Sequence, residues 1–314
     1  KAGIQCTIIM PDSAPLAKVM ATRGYGADVV LTPGGYEEAY RFAVHMQKEK
    51  GATFVHAFDD IDVIAGQGTV ALEIIEDLPE VEAVFVPVGG GGLISGVSFA
   101  LKSMLPQVRV FGVQATGAPG MHISHMHDKL MESRFASTFA DGIAVRRPGK
   151  VTFDLTEQYV DDIITVDDEE IAGAIILLLE RSKIVAEGAG AVGLAALLGK
   201  KVHMSGCKTA VILSGGNIDI NTLSLIIERG LIKTGRRIRL RVLAPDRPGS
   251  LCKLLAVVAD TGANVVSVLH NRIKLSVPIK QVEVELALET RDLEHIGQII
   301  SKLSQDGYHP EVYT

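Results

Sequence analysis

The sequence lacks the charge pattern of a protein that binds nucleic acid or a membrane surface. Its 31 Lys and Arg residues are outnumbered by 37 Asp and Glu residues, which gives a net charge of −6. The basic residues form only short pairs such as Arg236-Arg237. A mildly acidic chain of this kind gives no electrostatic reason to expect nucleic acid or a membrane as a partner, and favours small-molecule ligands.

Cysteines and long apolar runs are also scarce. The three cysteines, Cys6, Cys207 and Cys252, are far apart and show no CxxC spacing. The sequence therefore predicts neither a disulfide framework nor a zinc site. The most apolar window, "IAGAIILLLE" from Ile171, is too short to span a bilayer, and no signal-peptide pattern opens the chain. We expect a cytoplasmic protein.

Short apolar runs alternate with helical segments through most of the chain. These runs are "CTIIMP", "ADVVL", "ATFVHA" (Ala52–Ala57), "AVFVPV", "VRVFGVQA", "DIITV" and "TAVILSGG". Buried strands separated by helices are typical of a parallel sheet that is covered on both faces. The sequence thus predicts a doubly wound α/β domain with a mainly parallel sheet over residues 1–232.

A different pattern begins after "KTGRR", which we interpret as a linker at residues 233–237. Residues 238–314 read β-α-β-β-α-β, with strict alternation in "RIRLRV" and "KQVEVELALE". That order is typical of a small α+β domain of the ferredoxin-like class, whose antiparallel sheet has one solvated face. The chain therefore has two domains.

Four consecutive glycines in "VPVGGGGLISG" stand between a strand and a helix. At that place in an open α/β sheet, bare backbone N–H groups and the helix dipole can bind a phosphate. We predict that Gly89, Gly90, Gly91, Gly92 and Leu93 do so. The alternative is a tight connection without a ligand. The spacing matches neither a P-loop nor a GxGxxG dinucleotide motif.

Two further stretches are candidates for the same site. One follows a predicted strand, and the other lies at the start of a predicted helix. "LSGGNID" places Ser214 and Gly215 after "TAVIL", so that two glycine clusters of one sheet can face the same crevice; the alternative is a polar turn. "EGAGAVGLAAL" combines Glu187 with small residues at a helix start. Its glutamate could bind a ligand or only complement the helix dipole.

The motifs "PVGGGGLISG", "ADG", "RPG", "VAEGAGAVGLAAL" and "SGGNID", in this order, resemble the fold-type II pyridoxal-phosphate enzymes, of the tryptophan synthase β-like fold. Among these the threonine ammonia-lyases (threonine dehydratases) are the most similar. "MPDSAPLAKV" with "GADVVL" is similar to the small lobe of that family, here residues 1–55, with 56–232 as mainly the large lobe. "LAPDRPGSLCKLLAVVADTGANVVSV" resembles an ACT domain, a regulatory amino-acid-binding module.

The resemblance implies pyridoxal 5'-phosphate as the cofactor. Gly89 to Leu93 would hold its phosphate, Ser214 would face the pyridine nitrogen, and Glu187 would lie near the ring edge. Gly215, next to Ser214, would also bind the cofactor. A hydroxyl does not hold that nitrogen protonated, which suits β-elimination better than transamination. The resemblance also implies that Gly249, Ser250, Leu251 and Asn264 bind an amino-acid effector at a dimer interface; the alternative is an ACT domain that only drives oligomerisation.

Two parts of the family pattern are missing. The lysine that forms the Schiff base lies in an SFKxRGA-type motif followed by a GNH loop, and neither occurs in these 314 residues. Lys1 and Lys18 lack that context, so the catalytic residue is unknown and we expect a truncated sequence. Related racemases bind a divalent metal through a glutamate and an aspartate, where this sequence has Gln114 and Gly120, and we expect no divalent site. The alternative is a monovalent cation held by carbonyl groups.

The histidines of "MHISHMHD", His122, His125 and His127, have no cysteine nearby and are interpreted as a solvated polar segment and not as metal ligands. "DDIDVI" is interpreted as a loop, and "VDDEE" as a helix N-terminus.

The function implied is dehydration and deamination of L-threonine to 2-oxobutanoate and ammonia, and of L-serine to pyruvate, with isoleucine or valine as expected effectors. Serine racemase or serine dehydratase activity is one alternative, and a non-catalytic amino-acid-binding regulator is another. We expect a homo-oligomer, a dimer or tetramer.

Overall fold

The computed structural model describes residues 3–14 and 16–313, without the side chains of Ala17 and Glu37. The chain divides after Asp219 into two compact units. The strands of the first unit are β1 (Thr7–Pro11), β2 (Asp28–Thr32), β3 (Ala83–Pro87), β4 (Arg109–Ala115), β5 (Asp162–Val166) and β6 (Thr209–Val211). Its α-helices are α1 (Leu16–Gly24), α2 (Tyr36–Lys50), α3 (Ile61–Asp77), α4 (Gly92–Met104), α5 (Gly120–Met126), α6 (Lys150–Tyr159), α7 (Asp168–Leu177) and α8 (Gly188–Leu198).

The first unit contains two separate parallel sheets. The larger sheet has the strand order β5-β4-β3-β6, and the smaller sheet pairs β1 with β2. Helices connect the successive strands, which confirms the predicted doubly wound α/β fold. The alternation in the sequence indicated each strand but not its neighbours, so it did not reveal that the strands form two sheets.

Strand β3 lies inside the larger sheet, between β4 and β6. All five of its residues are buried, and Ile94, Val97 and Leu101 of α4 are fully buried in the core cluster that contains β3. Because β3 and α4 are both anchored in this core, the glycine segment between them has fixed ends.

Helices α3 and α4 approach each other at two glycines. A Cβ atom added to Gly96 would lie 2.1 Å from the carbonyl oxygen of Ile64 and 2.7 Å from the backbone nitrogen of Gly68. Conversely, a Cβ atom on Gly68 would lie 2.9 Å from the carbonyl oxygen of Gly96. The two helices therefore touch through their backbones, and this contact depends on residues without side chains.

The predicted strand at Ala52–Ala57 is wrong, since residues 52–56 have no regular secondary structure. Their side chains pack against α2 instead. The ring centroids of Phe54 and His56 lie 5.7 and 5.4 Å from that of Tyr40. Aromatic residues are enriched in strands because they pack well on a half-buried surface, and here they pack in the same way without strand pairing.

The second unit contains α9 (Ile220–Lys233), β7 (Arg237–Pro245), α10 (Ser250–Asp260), β8 (Asn264–Asn271), β9 (Gln281–Glu289), α11 (Leu293–Gln305) and β10 (Pro310–Val312). Its antiparallel sheet has the order β10-β7-β9-β8, which confirms the predicted ferredoxin-like α+β fold.

Alternation on β7 explains the one-sided core of the second unit. Leu240 and Val242 are fully buried, whereas Arg239 is exposed and, like Arg237, pairs with Glu228 of α9. Helix α9 was missed by the sequence-based prediction, although its apolar residues Leu223, Ile226 and Ile227 show helical spacing. The predicted domain limits, residue 232 as the end of the first domain and residue 238 as the start of the second, stay a prediction.

No helix within residues 3–14 and 16–313 has the length and apolar character needed to cross a membrane.

Candidate functional site

Strands β3 and β6 are parallel neighbours, with Phe85 opposite Val211. Their carboxyl ends lie at the same edge of the sheet, so the segments that follow them meet there. A cavity of about 370 Å³ opens at this edge. It is lined by seven of the eight residues predicted to bind the cofactor, namely Gly89, Gly90, Gly91, Gly92, Leu93, Glu187 and Ser214. The structure thus brings three separate sequence motifs together, while their binding role stays a prediction.

The eighth residue, Gly215, supports the position of Glu187. The backbone N–H of Glu187 donates to the carbonyl oxygen of Gly215 at 3.1 Å. A Cβ atom on Gly215 would lie 2.4 Å from Oε1 of Glu187, so a larger residue would displace that carboxylate. Glycine at this position therefore lets the Glu187 carboxylate stay beside the backbone.

Each of the four consecutive glycines has a close neighbour. A Cβ atom on Gly90 would lie 2.4 Å from ring atoms of Phe58, and one on Gly92 would lie 3.0 Å from the Phe58 backbone. A Cβ atom on Gly89 would lie 3.1 Å from Cα of Ile143. Gly91 has φ +102°, in the region that favours glycine, and a Cβ atom there would lie 2.8 Å from Cβ of Thr152. The segment needs bare backbone for close approach and, at Gly91, for its conformation.

The same segment has the geometry of an anion cradle. In the described part of the chain, the backbone N–H groups of Gly89, Gly90 and Gly91 donate to no protein acceptor. Helix α4 begins at Gly92 without a side-chain cap, and its dipole adds positive potential at this end. Cβ atoms added to these glycines would collide with the residues that surround the segment, among them Phe58, Ile143 and Thr152. The residues present therefore fit the phosphate of pyridoxal 5'-phosphate.

The glycines of "EGAGAVGLAAL" allow α8 to pack closely behind the cavity. A Cβ atom on Gly190 would lie 2.7 Å from the carbonyl oxygen of Gly215, and one on Gly188 would lie 2.8 Å from Cα of Ala140. Small residues on α8 therefore bring Glu187, which immediately precedes the helix, against the ends of the strands.

One wall of the cavity comes from the "ADG" motif. Asp141 and Gly142 line it. Asp141 forms an ion pair with Lys18 of α1, in which Nζ of Lys18 lies 2.5 Å from Oδ2 of Asp141. The structure thus pairs the ammonium of Lys18 with a carboxylate at the cavity wall. No role for Asp141 follows from the sequence alone.

Aromatic side chains form another wall that the sequence did not reveal. Tyr36 and Phe58 line the cavity, and their rings stack with centroids 6.2 Å apart. Phe58 lies between the strand predicted at Ala52–Ala57 and the loop predicted at "DDIDVI". No periodicity in the sequence marks such a residue, because it reaches the glycines through tertiary packing alone.

His56 holds the turn that carries Phe58. Its Nδ1 accepts the backbone N–H groups of Phe58 at 3.2 Å and Asp59 at 2.8 Å. Burial lowers the pKa of His56 below its ordinary value, although the carboxylates of Asp59 and Asp60 act in the opposite direction. The lowered pKa favours the neutral ring, which is the form that can accept hydrogen bonds at Nδ1.

The loop expected at "DDIDVI" is wrong, because its two leading aspartates cap helices and α3 begins at Ile61. The carboxylate of Asp60 accepts the N–H groups of Asp62 and Val63 at the start of α3, and Asp59 caps α6. The helix start predicted at "VDDEE" is confirmed, since Asp167 caps α7. The acidic pairs therefore stabilise helix ends.

The three histidines of "MHISHMHD" have separate partners. His122 Nδ1 lies 2.6 Å from the carbonyl oxygen of Ile163, and His125 Nδ1 lies 2.5 Å from Oε1 of Glu157. His127 Nδ1 lies 2.8 Å from the carbonyl oxygen of Ile123 on its own helix.

The predicted effector residues lie at two ends of the second unit's sheet. Gly249, with φ +86°, precedes Ser250 and Leu251 at the start of α10, just beyond the end of β7. Asn264 lies at the other end, because it pairs with Glu289, which in turn pairs with the first residue of β7. A nine-residue strand spans about 26 Å. One chain therefore does not bring these residues together.

Comparison with known proteins places these features in a family. A family profile described as pyridoxal-phosphate dependent enzyme matches residues 1–215, and an ACT domain profile matches residues 238–305. The chain is 51% identical over 310 residues to an L-threonine ammonia-lyase of Thermotoga maritima, an alignment that covers 99% of this chain and 77% of the relative.

Solved structures agree with this assignment. Maize serine racemase is similar with a TM-score of 0.67 and 34% identity, over 74% of this chain and 71% of that one. The processed form of threonine deaminase isoform 2 from Solanum lycopersicum gives a TM-score of 0.67 and 34% identity, over 71% of this chain and 66% of the other. The chain therefore belongs to the fold-type II pyridoxal-phosphate-dependent enzymes and carries a C-terminal ACT domain.

Proposed function

We propose that the full-length protein, in the cytoplasm, converts L-threonine to 2-oxobutanoate and ammonia, and L-serine to pyruvate and ammonia. The observation that carries the proposal is that the tetraglycine, Glu187 and Ser214 line one and the same cavity. The high identity to an L-threonine ammonia-lyase along almost the entire chain supports this choice of substrate.

Each residue at the cavity has a proposed task. The backbone N–H groups of residues 89–93 would hold the cofactor phosphate, and the Ser214 hydroxyl would bond to the pyridine nitrogen. Glu187 would lie at the ring edge and influence the protonation of the cofactor. When bound, pyridoxal 5'-phosphate supplies an electron sink for the electron pair that remains on the substrate's α-carbon when the α-proton is removed.

The reaction also needs an amine that binds the cofactor aldehyde and removes a proton. The family's lysine motif for this task is absent from these 314 residues, and Lys18 is paired with Asp141. The catalytic proposal therefore concerns the full-length protein, whereas the phosphate cradle and the ACT domain lie within the described residues.

The substrate assay separates this proposal from its alternatives. Full-length protein with pyridoxal 5'-phosphate is incubated with L-threonine, L-serine or D-serine, and 2-oxo acid, ammonia and serine enantiomers are quantified. We expect 2-oxobutanoate and ammonia in equal amounts from L-threonine. Interconversion of the serine enantiomers without turnover of L-threonine would indicate a racemase. A protein that binds the cofactor but converts none of the three would be a non-catalytic regulator.

We also propose that an amino acid regulates the enzyme by binding at an interface between the ACT domains of two copies. Strand β8 forms an exposed edge of its sheet. If β8 paired in antiparallel fashion with β8 of a second copy, the two sheets would run in opposite directions. Asn264 of one copy would then lie near the end of the other copy's sheet at which α10 begins. Such a homo-oligomer would join Asn264 to Gly249, Ser250 and Leu251, which one chain keeps apart.

The regulatory proposal predicts that isoleucine or valine changes the rate of L-threonine turnover by the full-length protein. Asn264→Ala is expected to remove that response, because the asparagine amide would hydrogen-bond the effector. Steady-state rates are measured across a titration of each amino acid. Rates that stay constant for both in the unaltered protein would leave the ACT domain only a role in oligomerisation.

A further inference from the structure

The carbonyl group of Gly90, in the middle of the tetraglycine, is held by the start of helix α6. Oγ1 of Thr152 donates to the Gly90 oxygen at 2.6 Å, and the backbone N–H of Gly149 donates to it at 3.2 Å. Thr152 is fully buried. In a trans peptide the carbonyl oxygen and the following N–H point in opposite directions. Fixing the Gly90 oxygen therefore also fixes the N–H of Gly91.

Thr152 is itself held in place by Asp59. Oδ1 of Asp59 accepts the backbone N–H groups of Val151 at 2.9 Å and Thr152 at 3.2 Å, and Oδ2 accepts that of Lys150 at 3.0 Å. A Cβ atom on Gly149 would lie 2.2 Å from Oδ1, so the glycine leaves room for the carboxylate. Asp59 thus satisfies three free N–H groups of the first turn of α6 and fixes that turn beside the tetraglycine.

A further hydrogen bond joins the same turn to helix α4. Oγ of Ser95, which is fully buried, donates to the carbonyl oxygen of Thr152 at 3.1 Å. The backbone N–H of Ser95 in turn donates to the carbonyl oxygen of Gly91. Thr152 is therefore connected to the tetraglycine directly and also through the first turn of the helix that follows it.

We infer that Thr152, held by Asp59, is a positioning residue that orients the Gly90–Gly91 peptide so that its N–H can bind the cofactor phosphate. This inference rests on the proposed function of the tetraglycine. Its competitor is a purely structural role, in which the Thr152 hydroxyl stabilises the packing of α6 and has no specific effect on phosphate binding.

The chain offers a matched control for this residue. Thr156 lies one turn later on the same helix and is also fully buried, but its Oγ1 has no hydrogen-bond partner within the described residues. Thr156→Val therefore removes a hydroxyl from the same helix without breaking a hydrogen bond. Thr152→Ser retains the hydroxyl and loses only a methyl group.

The test compares two probes that differ by one phosphate group. Dissociation constants of pyridoxal 5'-phosphate and of pyridoxal are measured by calorimetry for full-length protein, with thermal unfolding as a check of folding. Thr152→Val is expected to weaken binding of pyridoxal 5'-phosphate by roughly 5- to 100-fold, since a buried hydrogen bond is lost. Binding of pyridoxal should change less than about twofold, and Thr152→Ser and Thr156→Val should behave like the unaltered protein.

Three results have distinct meanings. An equal loss of affinity for both probes in Thr152→Val, or no loss for either, would overturn the inference. An unaltered protein that binds pyridoxal as tightly as pyridoxal 5'-phosphate would instead contradict the phosphate cradle itself. If Thr152→Val does not fold, Asp59→Asn is the second variant. It is expected to weaken the binding of pyridoxal 5'-phosphate selectively, and an equal effect on both probes would count against the inference.

Discussion

Replacing Gly96 with alanine is expected to reduce the free energy of unfolding of the first unit by about 3 kcal/mol, the upper range for an overpacked core. The added Cβ atom would lie 2.1 Å from the Ile64 carbonyl oxygen on helix α3, and both groups belong to rigid helical backbone. The helices would have to separate, and α4 begins at the tetraglycine. Chemical denaturation of the full-length protein, followed by circular dichroism, measures the change.

Gly66→Ala on helix α3 is the matched control. An added Cβ atom there has no neighbouring atom within 4 Å. Alanine at this position should stabilise the protein by about 0.5–1 kcal/mol, because it favours the helix more than glycine does. A Gly96→Ala protein as stable as the unaltered one would mean that α3 and α4 do not touch at these glycines.

Gly91→Ala is expected to have the largest effect on cofactor binding. A φ of +102° is strained for any residue with a side chain, and the added Cβ atom would lie 2.6 Å from Cε of buried Met121 and 2.8 Å from Cβ of Thr152. The peptide would rotate away from the cradle. We expect affinity for pyridoxal 5'-phosphate to fall on the order of 100-fold or more.

The control for this variant is Gly173→Ala on helix α7, where an added Cβ atom has no neighbour within 4 Å. Its affinity for the cofactor should equal that of the unaltered protein. Equilibrium titration of both variants with pyridoxal 5'-phosphate gives the comparison. A folded Gly91→Ala protein with unchanged affinity would show that the conformation of this glycine is irrelevant to binding.

Much of the site followed from the sequence because its parts lie at strand ends. The apolar runs at β3 and β6 were evident, and the residues after them, the tetraglycine and Ser214, had to meet if the strands were neighbours. The ferredoxin-like order of the second unit was equally evident, since strict alternation marks strands with one exposed face. Local sequence patterns were sufficient to predict the position of a residue wherever that position depends only on whether the residue lies in a strand, in a helix or at the end of one.

The supports of the cradle could not be predicted in the same way. Phe58 and Thr152 reach the glycines from separate parts of the chain, and the hydrogen bonds of Asp59 span more than 90 residues. Composition also misled the interpretation of residues 52–57, whose aromatic side chains pack on α2 without pairing as a strand. Such contacts depend on which elements are neighbours in space, and periodicity does not record that.

A crystal structure of the full-length protein with pyridoxal 5'-phosphate tests the central claim most directly. We predict that the phosphate oxygens lie within about 3.2 Å of the backbone nitrogens of residues 89–93, with the Ser214 hydroxyl at the pyridine nitrogen. A phosphate bound to other groups, with the tetraglycine N–H groups facing only solvent, would contradict the account.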